Sequence, residues 1–161
     1  MQDWCPGLRR ALIPEPARSS GSVSGVFQED VETLRRAYEA FNERGVEAIL
    51  EHLAPQFQVR DRESSPDRET RYGREGIKEL FASYMEAFDA LRLEPEEFID
   101  AGDQILVCLH QLARGKGSGA RVVSRIAHVW TMEGGAAARL RIFADKGSAI
   151  EALRAEGADL L

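Results

Sequence analysis

The chain has 161 residues, 21 of them Lys or Arg and 27 Asp or Glu, for a formal net charge of −6. At 43% hydrophobic and 30% charged residues it has the make-up of one globular domain. The acidic balance argues against nucleic-acid binding, which needs a basic face, and no apolar run nears the roughly 20 residues that span a bilayer. No nucleic-acid or membrane partner is therefore expected.

Residues 1–25 differ from the rest. They hold Pro6, Pro14 and Pro16 and then a Ser/Gly run from Ser19. Ala11-Leu12-Ile13 is too short for a signal-peptide core of roughly 7–15 residues. The segment reads as a flexible tail, and its abrupt change of character fits upstream sequence translated from a mis-assigned start. A domain is expected over 26–155, with a short C-terminal tail over 156–161. The two cysteines, Cys5 and Cys108, have no CxxC partner. Neither a zinc site nor a disulfide framework is expected, which suits a reducing cytoplasm.

In chain order, Val31, Leu34, Tyr38 and Phe41 fall on one face of a helix that Gly45 should end. A second short helix, with Val46, Ile49, Leu50 and Leu53 inward, should stop at Pro55. Phe57 and Val59 alternate with polar residues, predicting a strand over Gln56–Arg60. Asp61–Tyr72 reads as a charged loop. Ile77, Leu80, Phe81, Tyr84, Met85 and Phe88 carry the plainest helical spacing in the chain, predicting a helix over 74–90.

The period changes after Leu91. Strands are expected through Leu91–Ile99, over Gln104–Arg114, over Ala120–Met132 and over Ala136–Ala144, with Pro95 marking an edge or a break in the first. Gly-containing turns separate them, which implies an antiparallel meander. A last helical turn or two is expected at Ala149–Leu153. The order α-α-β-α-β-β-β-β makes an α+β fold, a curved antiparallel sheet wrapped around helices.

Several segments resemble one superfamily. Val31–Asn42 followed by Gly45 and Pro55 is similar to the opening of the nuclear transport factor two-like superfamily. Tyr72–Ile77, Phe98–Asp103, Ala127–Thr131 and the ending Phe143-Ala144-Asp145 are similar to its SnoaL-like branch, and the likeness covers about residues 27–155. It implies a conical α+β barrel with a deep pocket between sheet and helices. Members include polyketide cyclases, ketosteroid isomerases, epoxide hydrolases and non-catalytic binding or dimerisation modules.

The resemblance implies four candidate catalytic residues. Tyr38 matches a tyrosine that donates to a developing enolate oxygen; otherwise it is a core aromatic. Asp61 lies where the isomerase branch carries its general base; its charged neighbours Arg60, Arg62 and Glu63 read as an exposed loop. His128 shares a strand face with Val122, Ser124, Ile126, Trp130 and Met132, and matches a histidine that contacts substrate in the cyclase branch. Asp145 matches the cyclase acid/base; as a bare pattern it is equally a helix N-cap.

Trp130, Phe143, Arg141 and Phe81 are expected to line the pocket. Arg141 and Asp145 would supply part of an Asp–Arg–Asp epoxide-opening relay. His110 and Arg114 are expected at a rim, and His52 beside solvent. Gly115–Gly119 reads as a hairpin turn and not a phosphate loop. The implied function is cofactor-free, metal-free proton transfer next to a carbonyl on an apolar or polyketide-like small molecule. The alternative is a non-catalytic ligand-binding or dimerisation module. A homodimer is expected through the outer sheet residues Val123, Ala127 and Val129.

Overall fold

The computed structural model describes residues 25–63, 65, 69–158 and 160. Of the tail expected over 1–25, residues 1–24, with Cys5, lie outside the described residues, and Gly25 opens the first helix. Helix α1 spans Gly25–Arg44 and buries Val31, Leu34, Tyr38 and Phe41. It ends at Gly45, whose φ of 90° lets its N–H reach back to the Phe41 carbonyl at 2.8 Å. A side chain there would be strained.

The next segment, Val46–His52, is a 3₁₀ helix rather than the α-helix expected, and β1 already begins at Leu53. Proline explains the early switch, because the residue ahead of Pro55 is pushed towards extended backbone. Pro55 itself sits inside β1 (Leu53–Arg60), where the pairing slips between Leu53 and Gln58. A missing N–H is tolerated at such an irregularity. Within the expected loop, Arg71–Tyr72 forms a two-residue strand, β2, paired with Gln58 and Val59.

Helix α2 (Gly73–Ala87) buries Ile77, Leu80 and Phe81. It stops short of residue 90: Phe88 is extended and opens β3 (Phe88–Asp100). There the Ala87 carbonyl accepts from the Lys116 N–H at 2.9 Å, so pairing with the sheet replaces the last helical turn. β4 (Gln104–Gly115), β5 (Arg121–Glu133) and β6 (Ala136–Phe143) complete the expected meander. The β5–β6 hairpin turns on Gly134-Gly135, both at positive φ, as a tight two-residue turn requires. Helix α3 covers Lys146–Ala155, longer than the turn or two expected.

The six strands lie in the order β2-β1-β6-β5-β4-β3. The α+β class and the curved sheet wrapped around helices are as expected, and the structure adds two details to the antiparallel meander. β1 runs parallel to β6, and the sheet stays open, with β2 and β3 as its edges. The inner face packs on α1, α2 and the 3₁₀ helix around Phe57, Leu34, Ile77, Leu80, Ile126, Trp130, Leu140 and Ile142. The outer face is partly covered by α3, whose Ala149 and Leu153 bury Leu106, Cys108, Ala127 and Val129. Beyond the expected domain end, Ala158 and Leu160 pack on this outer cluster, and the Ala158 N–H reaches the Leu153 carbonyl at 2.9 Å.

The free edge at β3 is managed by α1. Asn42 donates to the Leu93 carbonyl at 2.7 Å and accepts from the Leu93 N–H at 2.9 Å. Its side-chain amide thus stands in for the next strand and blunts the edge. Asn42→Ala leaves both backbone groups unmet, and unfolding titrations should show a loss of about 2 kcal/mol or more. Asn42→Gln, too long to repeat both bonds, should not restore it.

Candidate active site

Strand β5 carries the centre of the site. Its alternation sends Ile126, His128 and Trp130 to the inner face and Ala127 and Val129 to the outer. Tyr38, from the buried face of α1, meets the inner pair. Its hydroxyl lies 2.7 Å from His128 Nδ1, and Trp130 Nε1 donates to it at 2.9 Å. The Tyr38 and His128 rings stack at 5.8 Å, and Trp130 meets both edge-on.

These three side chains line a hollow with Ala37, Phe41, Ile49, Ile77, Phe81, Leu93 and Leu140. The hollow and its mouth take in about 340 Å³ free of atoms, but only about 20 Å³ is open to the centre of a water molecule. That is room for roughly one water. The Phe41 and Phe81 rings, 4.9 Å apart, flank it. A smaller void on the other side of Trp130 is bordered by Thr33, His52 and Met132, which places His52 partly inside the fold.

Burial governs the electrostatics. His128 is only 3% exposed, and desolvation, helped by the charge of Arg62, lowers its pKa from 6.5 to about 3. The imidazole is neutral at physiological pH. Burial also raises the Tyr38 phenol above its ordinary value, against the smaller opposing effect of the Trp130 hydrogen bond.

Asp61, just past the end of β1, is buried at 6% exposure despite its charged neighbours. Its Oδ1 accepts from the Tyr84 hydroxyl at 3.0 Å and from the Arg62 backbone N–H at 2.8 Å, with Arg62 Nε at 3.8 Å. The Tyr84 ring meets Phe81 edge-on at 5.7 Å, so Asp61 stands one aromatic ring behind the cavity lining. Burial, then the nearby Asp61 charge, raises the Tyr84 phenol. Tyr84 and Arg62 flank Asp61, and neither stands out in the sequence: Tyr84 belongs to the apolar stripe of α2 and Arg62 to a charged run.

The remaining candidates do not join this group. Asp145 caps α3: its carboxylate accepts from the Ser148 N–H at 2.7 Å, and that bond lowers its pKa. Phe143 packs on the outer cluster with α3. Arg141, on the same outer face of β6, is clamped by Glu156 at 2.6 and 3.0 Å and by Gln104 at 3.1 Å. The inner positions of β6 belong to Leu140 and Ile142. Asp145, Phe143 and Arg141 therefore lie across the sheet from the cavity, and no Asp–Arg–Asp relay forms from them.

His110 also faces outward, between Glu96 (3.2 Å) and Arg125 (3.2 Å), and Arg114 pairs with Asp89 at 2.9 Å. Among the described residues no group of three or more His, Cys, Asp or Glu side chains could hold a metal ion. Cys108 is a free thiol on the outer face; burial and the neighbouring Glu97 raise its pKa to about 11.

The depressed His128 pKa has a consequence for stability. The unfolded chain binds this proton near 6.5 and the folded chain only near 3, so between those values the unfolded state binds more protons and stability falls as pH falls. The slope approaches about 1.4 kcal/mol per pH unit. Unfolding titrations from pH 6.5 to 5, above the ordinary carboxylate range, should show this slope in the wild type and its loss in His128→Gln.

Residues 34–140 match the family model described as a SnoaL-like domain. Among curated proteins none matches the chain. A solved structure of TerC, co-crystallised with polyporic acid, is 27% identical over 78% of this chain and 98% of its own, with a TM-score of 0.65. A nuclear transport factor two-like protein of unknown function from Burkholderia pseudomallei K96243 is 25% identical over 76% of this chain and 95% of its own, at 0.66. SalBIII, an epoxide hydrolase/cyclase-like enzyme in pyran ring formation in salinomycin, is 23% identical over 74% of this chain and 93% of its own, at 0.62. The family model spans well over half the chain and the folds agree: the protein belongs to the SnoaL-like domain family, within the nuclear transport factor two-like superfamily.

Proposed function

We propose that the protein binds a small, mostly apolar molecule in the cavity beneath Tyr38, His128 and Trp130, and acts on it as a cofactor-independent isomerase or cyclase. The reaction is proton transfer next to a carbonyl. One observation carries the reading: a hydrogen-bonded polar trio is buried in an otherwise apolar hollow, with a shielded carboxylate one ring behind it. Stable cores do not need such a trio, because each polar group must be desolvated and then satisfied.

Asp61 is the acid/base, since it is the candidate carboxylate on the cavity side of the sheet. Phe81 and Trp130 line the binding site. The narrow hollow limits the occupant to one or two rings and requires the Phe41–Phe81 pair to give way. Support comes from the family itself, and from TerC and SalBIII, whose structures concern polyporic acid and pyran ring formation. No helix among the described residues is long and apolar enough to cross a membrane. The cytoplasm is the proposed location, in keeping with the free Cys108 thiol.

A second reading, dimerisation, is favoured by one surface feature. Val122 and Val123 on β5 are 41% and 52% exposed. Ala127 and Val129, expected to share that interface, lie under α3 instead. The proposed homodimer therefore uses the end of β5 around Val123.

Two measurements test these readings. Indan-1-one held in D₂O with the protein should exchange its α-hydrogens, followed by NMR. Asp61→Asn should slow the catalysed exchange about a hundredfold, while Asp145→Asn, on the outer capping turn, should leave it unchanged. Equal exchange in wild type and Asp61→Asn rejects the mechanism. Sedimentation at micromolar protein should show a dimer that Val123→Glu dissociates; a wild-type monomer rejects the interface.

A further inference from the structure

The outer face of the sheet carries a row of polar side chains that crosses all its strands except β3. Strand pairing sets Tyr72, Gln58, Arg139, Thr131 and Gln104 side by side on β2, β1, β6, β5 and β4. The residues next to them in sequence, Val59, Leu140, Trp130 and Ile105, belong to the core. By alternation the row therefore faces away from the cavity. Helix α3 covers the sheet beside it, over Leu106, Ala127 and Val129, and leaves the row itself at least part exposed.

Three donors meet at one oxygen here. Gln104 Oε1 accepts from Arg141 Nη2 at 3.1 Å, and Arg139 Nη2 and the Thr131 hydroxyl each lie 3.4 Å from it. A neutral amide oxygen has two lone pairs, one fewer than the donors aimed at it. The Nε–H groups of Arg139 and Arg141 are buried and have no partner among the described residues. The carboxylates nearby are committed elsewhere. Glu156 holds Arg141 at 2.6 and 3.0 Å, Glu63 pairs with Arg60, and Glu133 accepts from Gln56 at 3.1 Å. Arg139 bonds only the Gln104 amide, and its charge acts on Glu156 from beyond bonding distance. The cluster is rich in donors and short of anionic acceptors, and unmet buried donors are costly.

We propose that Arg139, with Arg141 and Thr131, forms a binding site for a small oxyanion, a phosphoryl or carboxylate group, on the outer face of the sheet. The anion takes the place of Gln104 Oε1 where the three donors meet, and the Gln104 side chain turns aside. Arg139 thereby gains the charged partner it lacks. Charge-assisted bonds from a guanidinium are shorter and stronger than bonds to an amide, and its planar fork matches both kinds of anion. Glu156 competes for the same donors and keeps the affinity modest. The site lies across the sheet from the Tyr38–His128–Trp130 cavity and does not depend on what that cavity does.

Nitrogen-15 NMR of the Arg139 and Arg141 Nε–H groups tests the site on the full-length protein. Inorganic phosphate and acetate are titrated separately, with sodium chloride at equal ionic strength as the control. At least one of the two anions should move both resonances to saturation, with a dissociation constant of about 1 mM. Saturation by phosphate alone assigns a phosphoryl group; saturation by acetate, with or without phosphate, shows that a carboxylate suffices. Arg139→Gln should weaken binding about tenfold, and Arg139→Lys, which keeps the charge without the fork, should recover only part of it. Glu156→Gln, a change at the exposed end of α3, should tighten binding about threefold by removing the competing charge. A drift that chloride reproduces overturns the proposal. So does equal affinity in wild type and Arg139→Gln, or an affinity that Glu156→Gln leaves unchanged or lowers.

Discussion

The hydrogen bond between the Tyr38 hydroxyl and His128 Nδ1 joins helix α1 to the middle of the sheet across 90 residues of sequence. Trp130 completes the oxygen's coordination from the same strand, and the apolar side chains of α1, α2 and β6 close around the trio. A buried polar network in low dielectric is worth keeping only when its members are satisfied. The same burial sets the protonation state, since desolvation disfavours the charged imidazole and keeps the His128 ring neutral. The Arg62 charge acts in the same direction.

Much of this arrangement was legible in the sequence, because it follows from periodicity. The helical spacing of Val31 to Phe41 placed Tyr38 on a buried face, and the period-two alternation of β5 put His128 and Trp130 side by side. Alternation has a blind spot, however. It says which residues share a face and not which face is inner. Along β6, Arg139, Arg141 and Phe143 do share a face, but the smooth aliphatic pair Leu140 and Ile142 takes the core side. The Arg–Phe row suits the other side, where α3 shelters Phe143 and Glu156 holds Arg141. Asp145 follows in the same register, and the helix cap wins it.

The charged run around Asp61 misled in a different way. Glu63 is largely exposed and pairs with the half-buried Arg60 at 3.3 Å, close to the solvated loop their composition implies. Asp61 nevertheless turns inward, because Tyr84 on α2 offers it a hydroxyl. Only tertiary packing brings those two together, 23 residues apart, and a helical stripe of apolar residues gives no sign that one of its tyrosines will use its polar end. Asn42 is the same kind of case. Its amide fits the unpaired backbone of Leu93, a pairing that exists only once β3 has become a sheet edge.

These long-range satisfactions also explain how an open sheet can hold a cavity. A barrel would remove its edges by closing and would shrink the space between sheet and helices. Here β2 is kept to two residues, while β3 carries Pro95, a register slip and the Asn42 clamp along its edge. The edges are blunted without closure, so α1 and α2 stand off the sheet far enough to leave a hollow. That hollow lies between the Tyr38–His128–Trp130 trio on one side and the Phe41 and Phe81 rings on the other, with the Asp61 carboxylate held behind it by Tyr84.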